Sequence, residues 1–427
     1  MKRAAELVDR ALDRRALVFG SVPPGGRDLD LLVEPAEQAP LERALEAAGF
    51  ERRGPTWARF RGCGVEPIDV VPLARWALPR PAEDSLLAEA VPVQGYLRLV
   101  RPSARHALLV LARRTARDGQ LDEKRRRRVD AALAEDHDAW AGAAMEAPAW
   151  GAAAALRLLR RFHRSGATPR RGDRAGAVAE ELIAAGASAG SARARAWRIV
   201  APRPRWGRLI ALSGLDGSGK SSQAAALAHT LRRLGHDQVV VWNRLGYGRS
   251  LDVVAAPVKA ALRRVRPGAA LPGSEPGRSQ GDPARELRRR SALLTGGWSA
   301  VVAMANASAH LRATLPHLSR GRVVICDRFV LDSVVHLRFM YARGAELPAH
   351  AVLIRRLSPT PTRAYFLDVD PGTAFSRKGE YDPERLDALA RPYRGAARDL
   401  GVRRLDGERT REDLCAEIGA DAWRALS

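Results

Sequence analysis

The run GLDGSGKSS has the residue types and spacing of a phosphate-binding turn. Gly214, Leu215, Asp216, Gly217, Ser218, Gly219, Lys220, Ser221 and Ser222 follow one another and fit GxxxxGK[ST] in full. Bare glycine backbone lets N–H groups curl round phosphate oxygens, and a following helix adds the partial positive charge of its N-terminus. Lys220 is then placed for the β- and γ-phosphates, and the Ser221 hydroxyl for Mg²⁺. The elements needed to hold such a turn are present. Leu209 to Leu212 reads as a buried strand, while Ala224, Leu227, Leu231 and Leu234 recur on one face of a helix that Gly235 stops. The stretch is read as a nucleoside-triphosphate site.

A second set of chemical residues lies near the N-terminus. A strand over Ala16 to Phe19 ends at Gly20-Ser21, and a Pro/Gly loop leads to RDLDLLVEP, a second strand carrying Asp28 and Asp30. Positions i and i+2 of a strand point the same way, so these carboxylates are expected to share a face. After a helix (Leu41 to Ala48), the strand Val65 to Val71 adds Asp69 in apolar company. Like charges brought together out of water are costly unless a cation lies between them. Three such carboxylates suit a hard-oxygen Mg²⁺ site of the kind used in two-metal nucleotidyl transfer.

With Gly20-Ser21, Asp28-x-Asp30 and Asp69, the first 100 or so residues resemble the DNA polymerase β-like nucleotidyltransferase superfamily in minimal form. The resemblance implies metal ligation by Asp28, Asp30 and Asp69, with Gly20 and Ser21 near a triphosphate. Only six residues, rich in Pro and Gly, separate Ser21 from Asp28, which leaves no room for the helix that often follows Gly-Ser in that superfamily.

The elements around these sites divide a chain of 427 residues, too long for one typical domain. A mixed-sheet domain over 1–100, a helical region over 101–200, a Pro/Arg-rich linker over 201–208 and an α/β domain over 209–427 are expected. No apolar run reaches the roughly 20 residues of a membrane span, and MKRAAELVDR reads as a charged helix rather than a signal peptide. Cys63, Cys326 and Cys415 are scattered without metal-ligand spacing, which fits a reducing cytoplasm, and Cys326 reads as core.

The formal charge is +23, but only five of the 71 basic residues are lysine, and arginine is spread through every segment. That is a compositional bias; it lacks the aromatic interleaving of single-strand binders, so no nucleic-acid partner is expected. KRRRR at Lys124 to Arg128 reads as a solvated helix face. His106, His137 and His163, at no metal-binding spacing, read as surface or cap histidines.

In the last domain, Gln238 to Trp242 reads as a strand whose end places Arg244 toward a second, acceptor phosphate. Residues 246–280, rich in Gly, Pro and Arg, read as a mobile flap or a partly disordered stretch. A long helix (Trp298 to Leu318) precedes the strand Val323 to Cys326, which ends in Asp327-Arg328-Phe329. Asp327 is placed as a Walker-B-type Mg²⁺ partner, and Arg328 as a fork for an acceptor phosphate. Beyond a strand over Tyr365 to Val369, Arg377 and Lys378 lie on a lid-like stretch. From there they would neutralise the transferring group. A final strand, Val402 to Leu405, leads to Asp406-Gly407, a loop suited to border adenine.

Together SGLDGSGKSSQ, Asp327-Arg328-Phe329, LDVDP through RKGEYD and the terminal LDG resemble thymidylate kinase and its close relatives, from about Arg208 to the C-terminus. The resemblance implies a parallel-sheet P-loop kinase using ATP and Mg²⁺ on a small-molecule nucleotide. Asp216 would lie near the acceptor sugar, Arg244 and Arg328 at the monophosphate, and Arg377 with Lys378 as lid cations. With Gly at 217, the catalytic cation falls to the lid. Members are commonly dimers, an interface that the helical insert would block or replace. Two positions depart from the pattern: Asn306-Ala307 stands where an arginine usually faces thymine, and Asp332 where serine is usual.

Overall fold

The computed structural model describes residues 2–26, 28–166, 168–201, 206–243, 292–341, 348–379 and 382–426. Arg244 and the flap expected over 246–280 lie outside them. The chain forms two compact units, one of Met1–Arg59 with Glu66–Arg203, the other of Phe60–Val65 with Pro204–Ser427.

The first unit begins with α1 (Lys2–Ala11), β1 (Ala16–Val18), β2 (Leu29–Val33), α2 (Pro35–Ala47), β3 (Glu51–Arg53), β4 (Thr56–Arg61) and β5 (Gly64–Pro72). Next come α3 (Arg80–Ala88), β6 (Val91–Pro92) and β7 (Leu99–Arg101), then six helices: α4 (Ala104–Asp118), α5 (Glu123–Glu135), α6 (Ala139–Glu146), α7 (Ala153–Ser165), α8 (Arg171–Ala184) and α9 (Ala189–Val200). The strands make one mixed sheet in the order β3-β4-β5-β2-β1-β7-β6.

Strand alternation divides this sheet between two cores. Val18, Leu31, Val33, Ile68 and Val70 pack with Val8, Leu41 and Leu45 of α1 and α2. Leu17, Leu32 and Val100 face the opposite way and join Leu108, Leu111 and Val129 in a core shared with the later helices. Helix α4 therefore packs on the second face of the sheet, and the helices after it extend the same core. By the same parity Asp30 and Asp69 project toward α4 and α5, since their strand neighbours Leu31, Ile68 and Val70 point away.

The second unit contains β8 (Arg208–Gly214), α10 (Lys220–Arg233), β9 (Gln238–Trp242), α11 (Ala292–Leu318), β10 (Val323–Asp327), α12 (Val330–Tyr341) and α13 (Pro348–Leu357). It ends with β11 (Arg363–Asp368), α14 (Pro371–Lys378), α15 (Pro383–Asp399), β12 (Arg403–Asp406) and α16 (Arg411–Ala425). The sheet is ordered β12-β11-β8-β10-β9, and every paired neighbour is parallel. Apolar residues run on both faces of β8. Ile210 and Leu212 meet Leu227 and Leu231 of α10, while Leu209 and Ala211 meet Leu318 and Phe329. A strand buried on both sides is what a parallel sheet with helices on each face demands.

The cysteine reading needs correction. Cys63 and Cys415, 352 residues apart, form a disulfide within the second unit. Chain separation hides such a pair because only folding brings the two sulfurs together. The bond also removes the cysteine argument for a reducing compartment. Cys326 is free and buried, as expected of core. Among the described residues no helix is long and apolar enough to cross a membrane.

Candidate functional site

The phosphate turn joins β8, the central strand of its sheet, to α10. Gly217 at φ +90 and Gly219 at φ +87 take conformations that side chains disfavour. At Gly217 a Cβ would also stand 2.1 Å from the Ala374 carbonyl oxygen, so α14 seats directly on the turn. Lys220 is buried, and its Nζ donates to the carbonyls of Gly214 (2.9 Å) and Leu215 (2.7 Å) and lies 3.8 Å from Asp216. Burial, then the neighbouring Arg328, holds its pKa below the usual lysine value. Leu215 is core, the Ser218 side chain is buried, and Ser222 is exposed.

Strand β10 runs beside β8 with Asp327 in register with Leu212, so its C-terminal end reaches the turn. Ser221 Oγ donates to Asp327 Oδ2 at 2.5 Å, while the buried Asp327 Oδ1 has no hydrogen-bond partner. A hydroxyl beside an orphaned carboxylate oxygen is a donor set that fits Mg²⁺. Arg328 follows at φ 74, a strained value for a non-glycine residue. Its N–H donates to Leu212 O at 2.9 Å, its carbonyl accepts from Asn243 Nδ2 at 3.0 Å, and its guanidinium pairs with Asp216. Backbone bonds on both sides therefore hold the strained residue and aim its side chain at the turn.

Asp332, one of the two departures, has a structural role that the sequence did not disclose. Fully buried, it accepts from Phe329 N (2.9 Å), Tyr393 Oη (2.9 Å) and Gly214 N (3.4 Å). This carboxylate thus ties β8, α12 and α15 together. The second departure is also internal: Ala307 is buried on α11. Arg377 and Lys378 occupy the last turn of α14. Arg377 Nη1 donates to Gly407 O at 3.1 Å, which places it at the Asp406-Gly407 loop, where Asp406 Oδ1 accepts from Glu408 N at 3.0 Å.

In the first unit, β2 and β5 pair in parallel with Asp30 opposite Asp69. Asp28 precedes β2 instead of lying on it, which corrects the strand argument for Asp28. Gly20 is glycine for a local reason: a Cβ there would fall 1.8 Å from Asp30 Oδ2. Ser21 lies beside Gly26, where an added Cβ would stand 2.4 Å from the serine's own Cβ. The Asp30 carboxyl is pushed up to about 6, first by burial and then by Asp28. Asp69 Oδ1 is buried without a hydrogen-bond partner. Asp30 opposite Asp69, with one orphaned oxygen, offers hard-oxygen donors that suit a divalent cation.

The raised Asp30 value sets a pH dependence. Folding favours its protonated form, so the stabilisation is full below the unfolded value of 3.8 and is lost as pH rises through about 6. The rise corresponds to about 3 kcal/mol. Asp30→Asn is therefore expected to raise the thermal midpoint of the metal-free protein at pH 7.5 and flatten its change between pH 4 and 6.5. Unchanged melting curves for this variant would rule out a strained carboxylate there.

Two expectations about the helices are revised. In KRRRR, only Arg127 is exposed, pairing with Glu123, while Arg125 is largely covered and pairs with Asp118. Lys124 and Arg128, one turn apart, face inward: Lys124 Nζ lies 3.0 Å from Asp28 Oδ1, and Arg128 Nη2 donates to Phe19 O at 2.6 Å. His106 is fully buried rather than at the surface, with Nε2 2.7 Å from Glu146 Oε2. Among the described residues, Glu89, His106 and Glu146 are the one group placing three ligand atoms within 4.8 Å of one another; the three aspartates are more widely spread. Arg105 pairs with both Glu89 and Glu146, which satisfies that group without a metal.

No family model matches the chain. It is similar to the thymidylate kinase of Ruegeria pomeroyi, 30% identical over 234 residues, covering 50% of this chain and 92% of that protein. It is also 30% identical over 241 residues to the thymidylate kinase of Dinoroseobacter shibae, covering 52% of this chain and 97% of the relative. The thymidylate kinase of Symbiobacterium thermophilum is 27% identical over 191 residues, 44% of this chain and 76% of that protein.

Proposed function

Since the chain belongs to the thymidylate kinase family through about half its length, we propose that it transfers the γ-phosphoryl group of ATP to a nucleoside monophosphate, with dTMP the default acceptor. The observation carrying this reading is the convergence of Lys220, Ser221, Asp327 and Arg328 at the ends of β8 and β10. Ser221 and Asp327 would hold Mg²⁺, which when bound screens the phosphate charges. The turn's N–H groups and Lys220 orient the donor, while Arg328 presents two parallel donors to the acceptor phosphate. Asp216 holds Arg328 in place until the acceptor arrives. Arg377, one helix turn beyond Ala374, would leave the Gly407 carbonyl to meet the transferring group.

Phosphoryl transfer from Mg-ATP to a panel of nucleoside monophosphates tests this reading on the full chain. Selective dTDP formation supports it. ATP hydrolysis with no nucleotide accepted would overturn the nucleoside-monophosphate acceptor and favour another small-molecule acceptor, a reading that Ala307 keeps open. Nucleotide binding without turnover would instead indicate a regulator.

A second reading rests on the pairing of Asp30 with Asp69 and the orphaned Asp69 oxygen. We infer that the first unit is a nucleotidyltransferase-like domain in which Asp28, Asp30 and Asp69 hold Mg²⁺, with Gly20 and Ser21 at the triphosphate. Changing both Asp28 and Asp30 to Asn should abolish Mg²⁺-dependent nucleotide transfer by the front site. Retained transfer would sink the assignment.

A further inference from the structure

The face of the first sheet that bears the aspartates is covered by helices that bring cations to it. Lys124 and Arg128 reach it from α5, and Arg114 from α4, where its guanidinium lies 5.6 Å from the Phe19 ring centroid. Arg114 and Arg128 meet at Phe19 and Lys124 at Asp28, beside Gly20-Ser21. Among the described residues, the short Pro/Gly loop after Ser21 contains no helix to offer N–H groups to an anion. The fold thus lacks one usual source of phosphate-binding charge where it gathers another.

Resting on the nucleotidyltransferase-like reading, the geometry points to Lys124, supported by Arg128 and Arg114, as the cradle for the polyphosphate of a nucleoside triphosphate at the front site. In the metal-free protein Lys124 serves as the counter-ion of Asp28. The pair is partly exposed, with side chains 38% and 32% accessible, and exposed pairs of this kind are weak and readily exchanged. With Asp28 engaged by a divalent cation, the Lys124 ammonium would be free to offer its three donors to phosphate oxygens. Arg128 is fixed by the Phe19 carbonyl and stays in place, so one cation moves and one is preset.

The test uses the full chain carrying Lys220→Ala, which lowers kinase-site binding equally in every variant compared. Calorimetry with inorganic tripolyphosphate and Mg²⁺ is expected to show binding at least 10-fold weaker when Lys124→Ala is added, and near-normal binding with Lys124→Arg. Without Mg²⁺, Asp28→Asn should tighten tripolyphosphate binding by freeing Lys124, and Lys124→Ala should cancel that gain. Equal affinity with and without Lys124, or no gain from Asp28→Asn, would overturn the proposal. Nucleotide transfer lost with Asp28→Asn and Asp30→Asn but indifferent to Lys124 would leave the front-site reading standing and refute the cradle alone. Transfer surviving the double aspartate change would refute the reading itself.

Discussion

Replacing Lys220 by alanine lowers kcat/KM for phosphoryl transfer from ATP by about 10²–10³-fold, the usual loss when one preorganised charge is removed from a transition state. The structure separates this loss from unfolding. Lys220 is a buried cation whose charge is disfavoured by burial, and its ligand-free hydrogen bonds go to two carbonyls of the turn. Removing it relieves a desolvation cost while giving up those bonds, so the thermal midpoint should move little. Kinetics and melting on the same sample decide the point. A turnover within 10-fold of the parent would show that the phosphate turn is not the donor site.

Arg328→Ala should raise KM for the acceptor by about 10²-fold or more and lower kcat as well, because a bidentate charge-assisted contact is lost. Asp216, only 13% of whose side chain is accessible, would then be left with Lys220, 3.8 Å away, as its remaining cation. Arg328→Lys should not rescue, since an ammonium cannot reproduce the planar fork. Arg328→Gly adds a control. It should lose acceptor affinity as alanine does, but relieve about 1 kcal/mol of backbone strain at φ 74, giving a higher thermal midpoint than alanine. Unchanged acceptor KM in all three variants would remove Arg328 from the acceptor site. A normal KM with a lower melting point would leave it a purely structural role.

The phosphate turn of the kinase half could be read from residues because its machinery is local. A phosphate turn needs glycines, a lysine and a hydroxyl within nine residues, and the strand and helix that flank it carry their own apolar periods. Asp327-Arg328 could be read in the same way, as polar residues at the end of a four-residue apolar run. Asp332 marks the limit. Its departure was visible in the sequence, but its bonds to Gly214 and Tyr393 span 118 and 61 residues of chain.

The front half shows the same division. Asp30 and Asp69 stood out because β-strand alternation makes a lone acid in an apolar run conspicuous, whereas Asp28 precedes its strand. The chain alone gave no reason to send Lys124 and Arg128 to the aspartate face while Arg127 stays exposed, since all lie in one basic run. Helix rotation against the sheet makes that choice, placing Val129 in the core and thereby Lys124 and Arg128 over the aspartates.

The disulfide, the buried His106–Glu146 pair and the inward cations thus belong to the tertiary structure, because each joins residues that no local period relates. What the sequence determined by itself is the phosphate turn, the strand-borne acids Asp30, Asp69 and Asp327, and the elements that carry them. Backbone chemistry and side-chain periodicity act over a few residues and can be read there. Long-range pairing is decided only when the cores close.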